Sequence, residues 1–403
     1  MMSLMVMQRR TFLKGAGSIV AATSVSPLTL AKAAQLSVGV VGGGIVGASV
    51  AMHLARAGAK VTLFEKSAPA AGATSKSFAW INAYSSDPHY RALRLKSIAG
   101  WRELDSTLPL DVSWGGAIHW AGNLAEAERL RADMDEFERT GYPARMIGAN
   151  DLAELAPNLR LGSINAASFN SLDAHIDPVY VTQQMLKEAK RLGAKIVHPC
   201  EVQELRINGR GIRSVATTKG KFKLDRLVIA GGVDTPPLAT QAGYTPPLKH
   251  APGILLHTNR SKALLGPVVE SPHMYFKQHP DGRIVGNDAP FAPEIPEHQG
   301  ILQGPMQMPA DIRALHGRRI LAGIRNKLPG AKNARFDHLT LGYRPMPEDG
   351  MPIVGFSPGH SSVYIAVMHS GVTLAPIMGR YIAHEIIEDD LVDELAPYRP
   401  ERT

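Results

Sequence analysis

The sequence predicts an α/β protein in which a parallel, doubly wound domain is interleaved with a second domain built on a mixed or antiparallel sheet. Three observations predict it: a strand–helix–strand unit at residues 36–64, a glycine triplet in its first turn, and an alternation downstream between helical segments and Pro/Gly-rich strand segments. The chain has 403 residues, of which 44% are hydrophobic and 20% charged, so collagen, disorder and a polytopic membrane protein are excluded. Its one cysteine, Cys200, excludes an internal disulfide and any cysteine-rich metal or cluster site.

The chain opens with Gln8-Arg9-Arg10-Thr11-Phe12-Leu13-Lys14, a moderately apolar stretch from Gly15 to Leu30, and Ala31-Lys32-Ala33. Paired arginines, a weakly hydrophobic core and an A-x-A site read as a twin-arginine export signal over residues 1–33, implying a periplasmic or otherwise exported protein. A membrane anchor needs about 20 apolar residues. This stretch is interrupted by Pro27 and rich in Gly, Ser and Thr, so no transmembrane segment is expected in the mature chain. Residues 1–33 carry four basic and no acidic residues, so their removal halves the net charge from +8 to +4. That weakens any nucleic-acid reading, and no nucleic-acid partner is expected.

Residues 36–41 read as a buried strand, 45–56 as a helix stopped by Gly58, and 60–64 as a second strand. Further on, 87–172 is polar and aromatic. A helix is expected over 178–192, strands near 195–199, 201–207, 214–218 and 224–230, and an antiparallel sheet within 236–293. A basic helix over 309–328, strands at 338–343 and 363–367, and a final helix over 375–388 complete the reading. The expected division is one domain from 36–86, 165–240 and 335–395, interrupted by a substrate domain from 87–164 and 241–334.

Val40-Val41-Gly42-Gly43-Gly44-Ile45-Val46-Gly47 holds G-x-G-x-x-G between a strand and a helix. Gly42 permits the tight turn, Gly44 lets backbone amides approach a pyrophosphate, and Gly47 allows close helix–strand packing. Glu65 stands 21 residues after Gly44, at the end of the second strand. Its carboxylate suits ribose hydroxyls and repels a 2′-phosphate, so NADP is disfavoured. The motif identifies a Rossmann-like dinucleotide site and leaves NAD and FAD both open.

Several separated stretches resemble the FAD-dependent D-amino acid oxidase superfamily, which includes glycine oxidase, sarcosine oxidase and relatives of the D-amino acid dehydrogenase small subunit. Gly72-Ala73-Thr74-Ser75-Lys76-Ser77-Phe78-Ala79-Trp80 resembles its second flavin-contacting loop, with Phe78 and Trp80 at positions that are often small. Asp173-Ala174-His175-Ile176-Asp177-Pro178 resembles the segment opening the helix before the adenine-side strand, and Leu227-Val228-Ile229-Ala230-Gly231-Gly232 the strand and turn closing the cofactor site. Gly342-Tyr343-Arg344-Pro345, Asp349–Gly355 and His369–Pro376 resemble the C-terminal flavin segment.

The resemblance implies a glutathione-reductase-like fold with bound FAD. It places Gly42, Gly44, Ile45, Val46, Gly47, Glu65, Lys66, Ala73, Thr74, Ser75, Ser77, Phe78, Ala79, Val202, Ala230, Gly231, Ser370, Gly371, Val372, Thr373 and Leu374 at the cofactor. Neither Ser77-Phe78-Ala79 nor the C-terminal segment supplies a His or Cys at the particular loop positions that covalently flavinylated members use, which implies noncovalent FAD. A helix N-terminus at the C-terminal segment would stabilise negative charge on a reduced flavin.

The implied reaction takes a hydride from the carbon beside an amine to flavin N5 and releases an imine that water hydrolyses. The implied substrate is a small amino acid or amine, with oxygen and a quinone both open as electron acceptor. Arg344 matches the arginine that binds substrate carboxylate, a task suited to a bidentate guanidinium. Tyr275 and Arg283, on the segment 274–286, are candidates for a substrate-facing hydroxyl and a positive charge that assists electron transfer. His369 is a candidate at the flavin-facing turn. Two other readings stand beside this one: an NAD-dependent dehydrogenase, which leaves the C-terminal segment unexplained, and a non-catalytic flavin-binding subunit of a larger complex. The 15 histidines show no ligand spacing, so no metal is expected.

Overall fold

The computed structural model describes residues 33–160, 162–209, 211–271, 274–288 and 308–402; the export-signal reading of residues 1–33 therefore lies, apart from Ala33, outside the described residues. The first unit folds as expected, with strand Ser37–Val41, helix Ile45–Arg56 and strand Lys60–Phe64. Gly58 ends the helix at φ +93°, a conformation that costs a glycine little. Ser37–Val41 pairs in parallel with Lys60–Phe64 on one side and Arg226–Ile229 on the other. The six-stranded sheet continues to Lys195–Val197 at one edge and to the hairpin Ile353–Ser357/His360–Val367 at the other. A three-stranded meander, 202–208, 211–217 and 220–223, attaches to this half.

Helices Pro178–Arg191, Ile45–Arg56 and Gly371–Glu388 pack together over one side of the parallel sheet, the second between the other two. Gly379 on the final helix, Gly371–Glu388, lies so close to helix Ile45–Arg56 that a Cβ there would sit 2.3 Å from Ser49 Oγ. Ser49 Oγ donates 2.6 Å to the Ala375 carbonyl. At the N-terminal ends a Cβ on Gly371 would stand 3.0 Å from Val46, so the two helix starts lie side by side. The final helix begins at Gly371, four residues before the expected Ala375, because Pro376 in its second turn does not break it. Pro376 has no N–H for the Val372 carbonyl. Trp101 Nε1 donates there instead, at 3.1 Å, and Ser97 Oγ donates 2.6 Å to the Thr373 carbonyl.

Those two donors lie on helix Pro88–Thr107, in a stretch whose sequence shows only polar and aromatic character and whose expected place is the substrate domain. The helix packs instead on the dinucleotide half: a Cβ on Gly100 would be 2.9 Å from Pro376. Its polar and aromatic residues hid it, since Arg91 and Arg94 are buried by hydrogen bonding rather than apolar character. Helices Leu124–Arg139 and Ala149–Leu155 also occupy the polar and aromatic stretch.

The second domain is an eight-stranded sheet in the order 336–343, 252–258, 284–288, 274–278, 268–271, 117–121, 166–170, 144–146. Every pair is antiparallel except 268–271 with 117–121. Side chains alternate between its faces. Ile118, Val269, Phe276, Ile254 and Leu256 join Ile320 and Ile324 of helix Ala310–Lys327 in one apolar core. His119, Glu270, Tyr275, Lys277 and Asn287 point to the opposite face. There the sheet abuts the loop at residues 73–76, since a Cβ on Gly342 would be 2.6 Å from Lys76 Cβ. The polar face is thus turned toward the dinucleotide half.

Candidate active site

The cofactor half of the site is made of backbone. Gly42 turns the chain at φ +102°, with its N–H donating 2.8 Å to the Phe64 carbonyl. A Cβ there would lie 2.4 Å from the Ala230 carbonyl oxygen, and one on Gly47 2.0 Å from the Gly42 carbonyl oxygen. Gly44 caps helix Ile45–Arg56 without a side-chain hydrogen bond, leaving the first turn's positive end open to an anion. Thr74 is buried and accepts from Ile45 N–H at 3.1 Å, fastening the second loop to the first. Glu65 accepts from Gly43 N–H at 2.7 Å through one oxygen and from Ser67 N–H at 2.8 Å through the other. This cradle, in which added side chains at the glycines would meet backbone, Glu65 or Thr74, fits a dinucleotide pyrophosphate and ribose.

The remaining predicted contacts sort by what their side chains do. Ser75 Oγ donates to the carbonyls of Ala71 and Gly72 at 3.2 Å each, and Ser77 Oγ accepts from Ala79 N–H at 3.0 Å, so both hydroxyls shape the loop. Ala73 opens the 3₁₀ turn of that loop, and Ala79 adopts φ +54° at its end. Lys66 is exposed and paired with Asp234 at 2.8 Å, which leaves it only backbone to offer a ligand. Val202, Ala230 and Gly231 lie at the start or end of strands 202–208 and 226–229. Ser370 stands at the N-cap of the final helix without a side-chain capping hydrogen bond, its Oγ accepting from Arg94 Nη1 at 3.3 Å, with Gly371, Val372, Thr373 and Leu374 as the first turn. Thr373 Oγ1 donates 3.3 Å to the Trp80 carbonyl.

On the sheet side, Arg344 Nε and Nη2 each donate 3.1 Å, to the carbonyls of Ala251 and Pro252, which orients the guanidinium. Burial lowers its pKa from the usual range, while Tyr275 opposes that shift; the group stays cationic. Tyr275 packs its ring 5.5 Å from Phe78 and is raised by burial and then by Glu270. His369 is exposed; the surrounding protein and then the charges of Arg344, Arg94 and Lys249 lower its pKa, so its imidazole is neutral at pH 7.

Arg283 is held in ion pairs. Its Nη2 donates 2.7 Å to Asp177 and its Nε 2.7 Å to Asp281, so two carboxylates neutralise it and it ties the sheet to the N-cap of helix Pro178–Arg191. Lys277, on the same polar face, is fully buried and donates 2.9 Å to the Ile176 carbonyl and 3.3 Å to that of Ala79. Burial pushes its pKa well below the usual lysine value.

Sequence reasoning missed a buried polar cluster between the two halves. His119 donates through Nδ1 to Glu270 at 2.9 Å, and its Nε2 lies 2.7 Å from Tyr84 Oη. Burial works against protonated His119, but the charge and hydrogen bond of Glu270 outweigh it and raise the pKa. Beside it Asp173 is fully buried, accepting from Trp80 Nε1 at 2.8 Å and from Tyr142 Oη. Burial raises Asp173 to about 7 against those two hydrogen bonds. The available signal was a single charged or imidazole residue inside an apolar strand, as in Val268-Val269-Glu270 and Ala117-Ile118-His119.

Two helix starts meeting beyond a parallel sheet, roofed by the polar face of an antiparallel one, define a two-domain flavoprotein oxidoreductase. Residues 37–385 match the family described as FAD dependent oxidoreductase, and the chain belongs to that family. FAD, rather than NAD, is therefore its dinucleotide. Among curated relatives, the glycine oxidase of Bacillus licheniformis is 26% identical, covering 90% of this chain and 96% of its own. One of the subunits of the opine oxidase of Agrobacterium tumefaciens is also 26% identical, over 91% of this chain and 98% of its own. The crystal structure of glycine oxidase from Geobacillus kaustophilus shares the fold, with a TM-score of 0.80 over 91% of this chain and 99% of that one at 22% identity. Among the described residues no helix is long and apolar enough to cross a membrane, and no three His, Cys, Asp or Glu side chains group to hold a metal.

Proposed function

We propose that the protein oxidises the C–N bond of a small amino acid or secondary amine, giving an imine that hydrolyses in water. Bound FAD supplies the two-electron acceptor. The protein's own part is to bind and orient: the amides of Gly44–Gly47 and of the final helix's first turn hold the cofactor, with Glu65 on its ribose. Arg344 grips a substrate carboxylate in a fixed direction. The observation that carries the reading is Arg344 itself, a half-buried guanidinium oriented by two carbonyls beside Tyr275 and His369 on the face turned to the cofactor half. Relatives named as glycine oxidase and opine oxidase support the same bond type.

The test is an anaerobic screen of the purified yellow protein against D- and L-amino acids, N-methylated amino acids and simple amines. Bleaching of the flavin absorbance by at least one class is expected; a flavin that none of them reduces sinks the reading and favours a non-catalytic role within a larger complex. Residues 8–14 and the A-x-A site support export of the folded, FAD-loaded protein by the twin-arginine route to the periplasm. Replacing both Arg9 and Arg10 by lysine should retain the protein in the cytoplasm on cell fractionation.

A further inference from the structure

Helix Pro88–Thr107 turns one buried face toward the start of the final helix. Arg94, Ser97 and Trp101 recur at helical spacing and so share that face. Each donates to residues 370–373: Arg94 Nη1 at 3.3 Å to Ser370 Oγ, Ser97 Oγ at 2.6 Å to the Thr373 carbonyl, and Trp101 Nε1 at 3.1 Å to that of Val372. Arg94 reaches a second segment as well. Its Nε donates 3.0 Å to the Asn82 carbonyl and its Nη2 2.5 Å to Asn82 Oδ1, while the Asn82 N–H donates 3.4 Å to Thr373 Oγ1. One side chain, only 8% exposed, thus fastens the stretch after the second loop to the helix start.

All of those acceptors are neutral, and no carboxylate pairs with Arg94 among the described residues. Arg91, on the same helix, is buried too but pairs with Glu136, and Arg283 has two carboxylates. A guanidinium keeps its charge in a protein, and a buried charge without a counter-charge is costly. Arg344, Arg94 and Lys249 act together on His369, just before the helix, and no carboxylate acts against them there. Asp173, an acid on which Arg94 does act, is raised by burial to about 7 and so is only partly charged near neutral pH. The helix end adds the positive pole of its aligned peptides. A region so arranged favours an anion over a neutral group. Oxidised flavin is neutral, whereas two electrons and one proton leave the reduced ring negatively charged.

We propose that Arg94 is a positioning and electrostatic residue of the cofactor site: it holds the start of the final helix in place and adds a fixed positive charge there, so that bound FAD is reduced more readily. The inference rests on that helix start being a cofactor contact, as proposed above, and not on the identity of the substrate. A group moves a redox equilibrium only by interacting differently with the two forms. Charge, rather than bonding alone, is therefore the property to vary.

The midpoint potential of the FAD-loaded protein, read by anaerobic equilibration with a reference dye, tests this without any substrate. Arg94→Gln should shift the reduction equilibrium toward oxidised flavin on the order of ten- to a hundredfold, about 30–60 mV for a two-electron couple. Arg94→Lys, which keeps the charge, should recover most of that shift. Asn82→Asp is a second route: it keeps an acceptor for Arg94 Nη2 but offsets its charge, and should lower the potential in the same direction while the protein stays yellow. An unchanged potential in Arg94→Gln or in Asn82→Asp overturns the proposal. So does an Arg94→Lys potential as low as that of Arg94→Gln, which would assign the effect to hydrogen bonding alone. If Arg94→Gln purifies without flavin, the other two variants decide: a lowered potential in Asn82→Asp with a near-wild-type one in Arg94→Lys supports the proposal, and any other pair of results overturns it. Failure of the oxidation reading appears separately, as a flavin that no amine bleaches.

Discussion

The two faces that meet at this site are built by opposite means. The dinucleotide half offers its ligand glycines, amides and helix ends, with side chains kept out because backbone must come close: added atoms at Gly42 and Gly47 would lie 2.4 and 2.0 Å from carbonyl oxygens. The sheet half offers Arg344, Tyr275, Glu270 and His119, with backbone consumed by the strand ladders. The first arrangement recognises a cofactor shared by a whole family, and the second can change with substrate at little cost to the fold. Damage to the first should therefore cost cofactor and stability together, whereas damage to the second should cost substrate alone.

The largest effect is expected at Gly47. Gly47→Ala places a methyl against the Gly42 carbonyl, in a turn tied by the Gly42 N–H to Phe64, so a stability loss of about 1–3 kcal/mol is expected from overpacking, with purification as a colourless protein. Flavin absorbance per protein and a thermal melt measure both, and a yellow variant of normal stability would break the contrast.

Arg344→Ala probes the other half. It should retain full flavin content while raising KM for carboxylate substrates on the order of 100-fold, the scale of a lost charged hydrogen-bond pair. An unchanged KM would remove Arg344 from substrate binding, and loss of flavin would erase the distinction between the halves.

Asp173 lies between the two halves and sharpens the contrast through pH. Its folded pKa, raised by burial to about 7, stands above the ordinary carboxyl value of 3.8. Below 3.8 it is protonated in folded and unfolded chains alike and imposes no penalty. As pH rises toward 7 the unfolded chain ionises first, so the group's contribution turns progressively destabilising and levels off above about 7. Asp173→Asn should flatten that part of the stability–pH curve, measured by denaturant titration between about pH 4 and 8; an unchanged slope would assign it to other groups.

The smallest effect belongs to Arg283→Gln. As a partly exposed tie to Asp177 and Asp281, it should cost no more than about 1 kcal/mol of stability and leave the rate of flavin reduction within about twofold. A large fall in the reduction or reoxidation rate would restore Arg283 as an electrostatic participant.

By itself the sequence determined the cofactor half. Gly42, Gly44, Gly47 and Glu65 lie within 24 residues of one another, and local turn, helix and strand geometry carries them to one place. The final helix was legible too, though Pro376 hid its true start, because the donors that rescue it, Trp101 and Ser97, come from a helix about 275 residues away in the chain. Only the tertiary structure decided the make-up of the polar sheet face. His119, the neighbouring strands of Glu270 and Tyr275, and Arg344 come from three distant stretches of chain, the first two joined through the parallel pairing of 268–271 with 117–121. It also decided that Arg283 is neutralised and that Asp173 holds its proton near neutrality, since burial and charge pairing depend on which distant carboxylates and rings are folded against a group.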